Sequence, residues 1–137
     1  MNDDQLRALL EDTRTIAVVG ASTNPDKPAN RIPRQLMDMG FTVIPVTPSA
    51  EEVLGQKAYP TLADVPVDID IVDVFRPPAE VPGIAEQTVE VGASVLWLQK
   101  GITSEEAGRI ASDAGVTFVE DTCLGSTSRR LLQTGSA

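Results

Sequence analysis

Short hydrophobic runs divide this chain into regular segments. Five such runs, rich in Val and Ile, occupy positions 15–19, 41–46, 69–75, 94–98 and 116–119. Most are continuous rather than alternating, which is typical of strands covered on both faces of a parallel sheet. Pro45 lies inside the second run, and we place it near the exit of that strand because proline is rare in central strands. The pattern predicts five largely buried β-strands.

Helix-length amphipathic segments separate these runs. Positions 28–39 carry apolar residues three and four apart, and Gly40 follows as a common C-terminal stop. Positions 82–91 begin with proline, and the sequence TSEE at Thr103–Glu106 matches a capping box at the start of another helix. A further helix is predicted at positions 3–12, before the first strand. Strands thus alternate with helices along the chain.

This alternation favours parallel strands joined by right-handed crossovers. We therefore predict an α/β fold: a doubly wound, Rossmann-like, five-stranded parallel sheet with strand order 3-2-1-4-5. In that order a ligand crevice lies at the carboxyl ends of strands one and four. The length of 137 residues fits a single domain over positions 1–137, with a core from about 14 to 131 and a frayed tail at 133–137.

The composition indicates in which cellular compartment the protein is expected. The N-terminal segment is acidic and amphipathic, unlike a signal peptide, and no apolar run approaches the roughly 18 residues of a membrane helix. The single cysteine, Cys123, excludes an internal disulfide and fits a reducing compartment. We expect a cytoplasmic protein without a membrane partner.

The net charge and the absence of histidine exclude several classes of function. The net charge of −9 argues against a nucleic-acid partner, yet Lys27, Arg31 and Arg34 stand close together after the first strand. Such a local cluster suits a small anionic ligand. With no histidine in the chain, His-based acid–base chemistry, Ser-His-Asp and Cys-His nucleophiles and most zinc sites are excluded. We expect no metal site and no catalytic residue, and leave open whether the protein is an enzyme.

The turn after the first strand is a candidate phosphate site. Gly20-Ala21-Ser22 leaves a buried strand with small residues, so backbone N–H groups can approach a phosphate. The full G-x-G-x-x-G pattern is absent, and a plain tight turn is the alternative interpretation. The nearby Lys27 and Arg31 favour ligand contact.

The other strand exits carry further candidates. Thr47 follows the second strand, where dinucleotide dehydrogenases usually place an acidic residue for the ribose. Arg76 lies in a stiff loop between Phe75 and two prolines, although it could equally be an ordinary surface arginine. Gln99 follows the fourth strand. Cys123 follows the fifth and is either a small buried residue or a thiol that faces the crevice.

Six stretches of the chain resemble the CoA-binding domain family of small bacterial proteins, which is akin to the N-terminal CoA-binding domain of the succinyl-CoA synthetase α subunit. The stretches occur in the same order and spacing as in that family, and the resemblance runs from about Ile16 to Leu131. The stretches are IAVVGAS (16–22), GFTVIPVTP (40–48), LGQKAYPTLADVP (54–66), IDIVDVFRPPAEVP (69–82), LWLQKGITSEEA (96–107) and the AGV…C segment (114–123).

The resemblance implies a Rossmann-like domain that binds coenzyme A in its crevice, usually without demonstrated catalysis. Pyrophosphate would meet the amides of the first turn, and the 3′-phosphate would meet a cation. The implied contact residues are Gly20, Ala21, Ser22, Lys27, Arg31, Val46, Thr47, Pro48, Phe75, Arg76 and Gln99, with Cys123 as a possible thiol contact.

The function expected from this resemblance is binding of CoA or an acyl-CoA by a non-catalytic binding, carrier or sensor protein. The alternative is an NAD(P)-binding small oxidoreductase or redox sensor on the same fold. A third reading is an accessory chain of an acyl-CoA synthetase. Ligase activity itself is excluded, because such enzymes need a phosphorylated histidine, but a homo-oligomer or a partner subunit remains open.

Overall fold

A computed structural model describes residues 1–133 of the chain. Five parallel strands form one sheet: β1 (Thr15–Val19), β2 (Thr42–Val46), β3 (Ile71–Val74), β4 (Val95–Leu98) and β5 (Thr117–Val119). The helices are α1 (Asp3–Glu11), α2 (Pro28–Asp38), α3 (Val81–Glu90), α4 (Glu105–Asp113) and α5 (Leu124–Gln133). The predicted frayed tail, apart from residue 133, lies outside the described residues.

The predicted fold class is confirmed, but the order of the strands differs from the prediction. The sheet runs β2-β1-β3-β4-β5, which is 2-1-3-4-5 rather than 3-2-1-4-5. β3 pairs with β1 in parallel, with Val18 opposite Asp73, and does not extend the sheet beyond β2. The crevice therefore lies between the carboxyl ends of strands one and three, and not of strands one and four.

Pro45 explains why β2 is an edge strand. The carbonyl of Pro45 accepts a hydrogen bond from Tyr59 N (3.0 Å) on the side away from β1. Because the N and O atoms of one strand residue point to the same side, the missing N–H of Pro45 also faces that outer edge. A further β-strand there would lack a ladder bond, so β3 pairs elsewhere. A short parallel bridge between Val46 and Tyr59 covers the edge instead.

Two apolar clusters cover the two faces of the sheet. Leu10, Leu36 and Leu124 bring α1, α2 and α5 against one face. Ile84 and Ala107 bring α3 and α4 against the other face. The central strands are buried on both sides, as their continuous apolar sequences predict. With both faces of the sheet covered, a ligand crevice is expected at the strand ends and the loops that follow them.

Local signals set the helix starts. Asn2 and Gln5 form a capping box at α1. The N-cap of α4 is Ser104, whose hydroxyl accepts a hydrogen bond from Ala107 N (3.1 Å), so the helix begins one residue later than the predicted TSEE box implies. Within residues 1–133, no helix combines the length and the apolar character that a membrane crossing requires.

Candidate functional site

From β1 the chain continues to β2 on one side and then returns past β1 to β3 on its other side, so the strand order reverses at β1 and a crevice opens at the carboxyl ends of β1 and β3. Gly20 ends β1 with a φ of +89°, in the left-handed region that favours glycine. A Cβ atom at this position would lie 2.7 Å from the carbonyl oxygen of Phe75 and 2.8 Å from Cδ of Arg76. The first turn and the loop after β3 are therefore in direct contact, and only glycine fits between them.

Two cavities lie along this edge of the sheet. The larger, about 640 Å³, is lined by the start of α2, the loops after β3 and β4, and the residue before α5. Six predicted site residues line it: Lys27, Arg31, Phe75, Arg76, Gln99 and Cys123. The smaller, about 250 Å³, lies at the exits of β1 and β2 and includes the predicted Gly20, Val46, Thr47 and Pro48. Arg76 lines both cavities and so joins them.

The larger cavity is cationic on one part of its wall and apolar on another. Lys27, Arg31, Arg76 and Lys100 bring four positive charges to it, and its lining includes no Asp or Glu. The apolar part includes Ile32, Phe75 and Ile102. In a chain of net charge −9, this concentration of cations makes the cavity a candidate site for an anionic ligand that also has an apolar part.

The first turn offers fewer free amides than its sequence predicts. Gly20 N donates to Val46 O (2.9 Å), and Ser22 N donates to Ala29 O (3.2 Å). Of the three predicted amides, only Ala21 N has no acceptor among the described residues. Ala21 and Ser22 line neither of the two cavities. The turn therefore contributes mainly by allowing the close approach at Gly20.

Hydrogen bonds between α2 and the preceding loop, residues 22–27, position the cation of Arg31. Asn30 Nδ2 donates to Ser22 O (2.8 Å), and the guanidinium of Arg31 donates to Asp26 O. Arg31 is thereby held at the cavity, whereas Arg34, the third member of the predicted cluster, donates to Asn30 Oδ1 (3.2 Å) and lines neither cavity.

Glu80 is a site residue that the sequence reasoning missed. Arg76 Nη2 lies 2.6 Å from Glu80 Oε2, and Arg76 Nε lies 3.2 Å from Glu80 Oε1. These hydrogen bonds hold the pKa of Glu80 below its usual value and raise that of Arg76. The two residues are four apart, but Arg76 lies in a loop before α3, so the spacing rule for helices did not predict this pair. An anionic ligand at Arg76 would compete with Glu80.

The exit of β2 is polar but carries no acidic side chain. Thr47 is buried, with its N–H donating to Tyr59 O (2.8 Å) and its hydroxyl accepting from Ser49 N (3.2 Å). Val46 and Pro48 line the smaller cavity beside it. This exit therefore lacks the ribose-binding carboxylate that is common in dinucleotide sites.

Gln99 and Cys123 meet at the start of α5. The buried Gln99 accepts a hydrogen bond from Leu124 N through Oε1 (3.1 Å). Cys123 is partly exposed, and its carbonyl accepts from Thr127 N in the first turn of the helix. Burial alone would raise the pKa of the Cys123 thiol, but hydrogen bonds from Ser126, Gln99 and Gly125 together lower it below its usual value. Cys123 also lines the larger cavity, so it remains a candidate contact for a ligand there.

A buried carboxyl beneath this region also escaped the sequence reasoning. Asp73 is fully buried in β3, and neither carboxylate oxygen has a hydrogen-bond partner among the described residues. Burial raises its pKa well above the usual value, and the charge of Cys123 adds to that effect. The hydroxyl of Ser128 on α5 is likewise buried and unpartnered. An Asp inside the apolar run IVDVF was the available signal.

Comparisons with known proteins agree with this geometry. A family model described as a CoA binding domain matches residues 14–129. The uncharacterized protein YneT of Bacillus subtilis is 38% identical over 120 residues, which cover 88% of this chain and 89% of YneT. A solved structure of a hypothetical protein from Pyrococcus horikoshii superposes with a TM-score of 0.94 at 38% identity, over 96% of this chain and 93% of that one.

Part of a larger enzyme is also similar. The ADP-forming acetate–CoA ligase I of Archaeoglobus fulgidus is 27% identical over 122 residues. That match covers 82% of this chain but only 18% of the ligase, so the similarity concerns one part of that protein. With a family model that covers most of its length and a full-length relative at this level of identity, the chain belongs to the CoA-binding domain family.

Proposed function

We propose that this protein binds coenzyme A or an acyl-CoA in the crevice formed by the two cavities. Its role would be that of a non-catalytic binding, carrier or sensor protein, and residues 14–131 would form the core of the binding domain. The observation that carries the proposal is the larger cavity, which combines four cationic side chains with an apolar wall. CoA has the matching chemistry, because it joins a triply phosphorylated nucleotide to a long, mildly polar arm that ends in a thiol.

The two cavities suggest how the ligand would lie. The adenosine end would occupy the smaller cavity beside Thr47 and Pro48. The phosphates would pass Arg76 and meet Lys27 and Arg31, where charge-assisted hydrogen bonds are available. The pantetheine arm would then follow the apolar part of the larger cavity, past Phe75 and Gln99 and toward Cys123. This order accounts for most of the predicted contact residues with one extended ligand.

The chemistry of the β2 exit favours CoA over NAD(P). A dinucleotide site at this position usually presents a carboxylate to the adenosine ribose, whereas this chain presents Val46-Thr47-Pro48. The carboxylate that does line the smaller cavity, that of Glu80, is hydrogen-bonded to Arg76. The similarity to part of an acetate–CoA ligase supports the same choice of ligand.

Calorimetric titration of ligand-stripped protein with CoA, acetyl-CoA, 3′-dephospho-CoA, NAD⁺ and NADP⁺ tests this proposal. We expect CoA to bind at micromolar strength. The 3′-dephospho form should bind at least about tenfold more weakly, since it loses a charge-assisted contact worth roughly 1.5–3 kcal/mol. Binding of NAD⁺ at least tenfold tighter than CoA would overturn the proposal.

A further inference from the structure

The only cysteine of the chain lies where it can meet a sulfur-bearing ligand. Cys123 directly precedes α5 and lines the larger cavity. Burial alone would raise the pKa of its thiol, but the polar groups of Ser126, Gln99 and Gly125 around it lower that pKa below its usual value. A helix N-terminus adds a favourable dipole for a thiolate.

A second, independent feature lies beneath this thiol. Asp73 shares a register row with Val18 and Trp97, so its side chain points to the face of the sheet that α5 covers. On that face Trp97 Nε1 donates to Thr122 O (2.8 Å), which ties the residue before Cys123 to the sheet. The carboxyl of Asp73 is fully buried, has no hydrogen-bond partner among the described residues, and interacts electrostatically with Cys123. Packing against the surrounding apolar residues does not explain a carboxyl group at this position.

The two groups are electrostatically coupled. Two anions that interact in a buried setting repel each other, so ionisation of one disfavours ionisation of the other. Burial raises the pKa of Asp73, whereas the pKa of the Cys123 thiol is lowered overall despite its partial burial. The other charged groups at the cavity are the cations Lys27, Arg31, Arg76 and Lys100, which also favour an anion. Glu120 and Asp121 are instead engaged with the backbone N–H groups of Ser104 and Gly101.

We propose that Cys123 is a thiol–disulfide exchange site for CoA disulfide, which the larger cavity delivers to it, and that the buried Asp73 is its positioning partner. This inference rests on the proposed CoA-binding function. The Cys123 thiolate attacks one sulfur of CoA disulfide, a new S–S bond forms, and the disulfide of the ligand breaks. Cys123 is oxidised, and the second CoA leaves reduced as a thiolate that takes up a proton from water. A free thiol reverses the step.

Intact-mass spectrometry of the reduced protein with CoA disulfide tests the exchange. We expect an adduct of CoA mass that disappears on treatment with dithiothreitol and does not form in Cys123→Ser. The adduct should form at least about tenfold faster than the one with bis(2-hydroxyethyl) disulfide, which has no phosphates to meet the cations. An excess of desulfo-CoA, which has no sulfur, should abolish that advantage.

A second readout isolates the role of Asp73. The mixed disulfide formed with bis(2-hydroxyethyl) disulfide removes the charge of Cys123 and adds none, so the pKa of Asp73 should fall relative to the reduced protein. The titration of the Asp73 carboxyl can be followed by ¹³C NMR, with its signal assigned from Asp73→Asn. Cys123→Ser should show the same lower pKa without any adduct. An identical Asp73 titration in all three forms would refute the coupling.

The outcomes separate this inference from the proposed function. If calorimetry shows CoA binding and iodoacetamide labels Cys123, but no CoA adduct forms, the exchange site is refuted and the binding function stands. Equal rates with the two disulfides would also refute the exchange site, since Cys123 would then be only a generally reactive thiol. If CoA does not bind and its disulfide has no advantage, both proposals fail.

Discussion

Gly20 is the residue on which the shape of the crevice depends most. Its φ is positive, and the space for a Cβ is already occupied by Phe75 O and the Arg76 side chain. We expect Gly20→Ala to destabilise the fold by more than backbone strain alone, because a main-chain oxygen must move. The added cost should be about 1–3 kcal/mol.

Urea unfolding of Gly20→Ala beside Gly92→Ala measures that cost. Gly92 also has a positive φ (+73°), but a Cβ there would meet nothing within 4 Å. The control therefore carries the backbone strain without the clash. Equal losses of stability in the two variants would contradict the close approach at Gly20.

Arg76 belongs to both cavities, and its ion pair with Glu80 is half exposed. Exposed ion pairs contribute little to stability, typically about 0–1 kcal/mol. We expect Arg76→Ala to leave the melting temperature of the free protein nearly unchanged and to weaken CoA binding by roughly tenfold or more. Arg109→Ala, an exposed position on α4 that lines neither cavity, removes the same charge as a control.

Calorimetry and a thermal melt of both variants decide this prediction. A large drop in melting temperature with unchanged CoA affinity would make Arg76 a structural residue. An equal loss of affinity in Arg109→Ala would show that only the net charge matters, and not the position of Arg76 between the cavities.

At the scale of elements, β3 combines a buried charge with an otherwise apolar strand. Because the pKa of Asp73 is raised in the folded protein, the folded state keeps this proton to a higher pH than the unfolded state does. Stability is therefore fully present below the unfolded pKa and falls as pH rises toward the folded pKa, by up to about 1.4 kcal/mol per pH unit. This is the reverse of the usual behaviour of an Asp.

Asp73→Asn should remove that loss. We expect the variant to be more stable than the wild type at pH 7 and similar to it near pH 4, as measured by urea unfolding at both pH values. Asp70→Asn is the matched control, since Asp70 Oδ2 accepts hydrogen bonds from Arg14 N and Thr15 N (2.9 Å each) and its loss should destabilise. If Asp73→Asn is less stable at pH 7 as well, the carboxyl is stabilised in a way that its unpartnered oxygens do not explain.

The five strands of the parallel sheet and the helices α1 to α4 were predictable from the sequence, whereas α5 and the order of the strands were not. Continuous apolar runs identified all five strands because parallel strands are buried on both faces. The order of the strands depends on which edge can accept another strand. Pro45 carried that information, but only the direction of its missing N–H, known from the contact with Tyr59, shows that β2 must be an edge.

The position of some candidate site residues was likewise predictable from the sequence, whereas their contacts were not. Lys27, Arg31, Phe75, Arg76 and Gln99 were predictable because residues that follow parallel strands gather at one edge of the sheet. The pairing of Arg76 with Glu80 was not, and the burial of Asp73 was signalled only by its place in an apolar run, since both depend on which face of an element meets which neighbour. The engaged amides of Gly20 and Ser22 show the same limit, because a turn sequence does not reveal which backbone partners it has.

At the scale of the whole molecule, function follows from the distribution of charge and shape. Four of the eleven basic residues line a single cavity in a chain of net charge −9. That cavity lies at the point where the strand order reverses, which is the usual ligand position in open α/β sheets. The opposite edge of the sheet has its own cavity, about 340 Å³, lined by groups that include Asp12, Asp70 and Thr117, and it provides an internal control.

An NMR titration of the labelled protein with CoA tests most directly whether CoA binds in the crevice at the carboxyl ends of β1 and β3. Backbone amide shifts should concentrate in residues 20–31, 46–49, 75–77, 99–102 and 123–126, which surround the two cavities joined by Arg76. Amides around the cavity at the opposite edge, such as those of Thr13, Asp70 and Thr117, should stay unchanged. Shifts confined to that opposite edge, or none at millimolar CoA, would contradict the account.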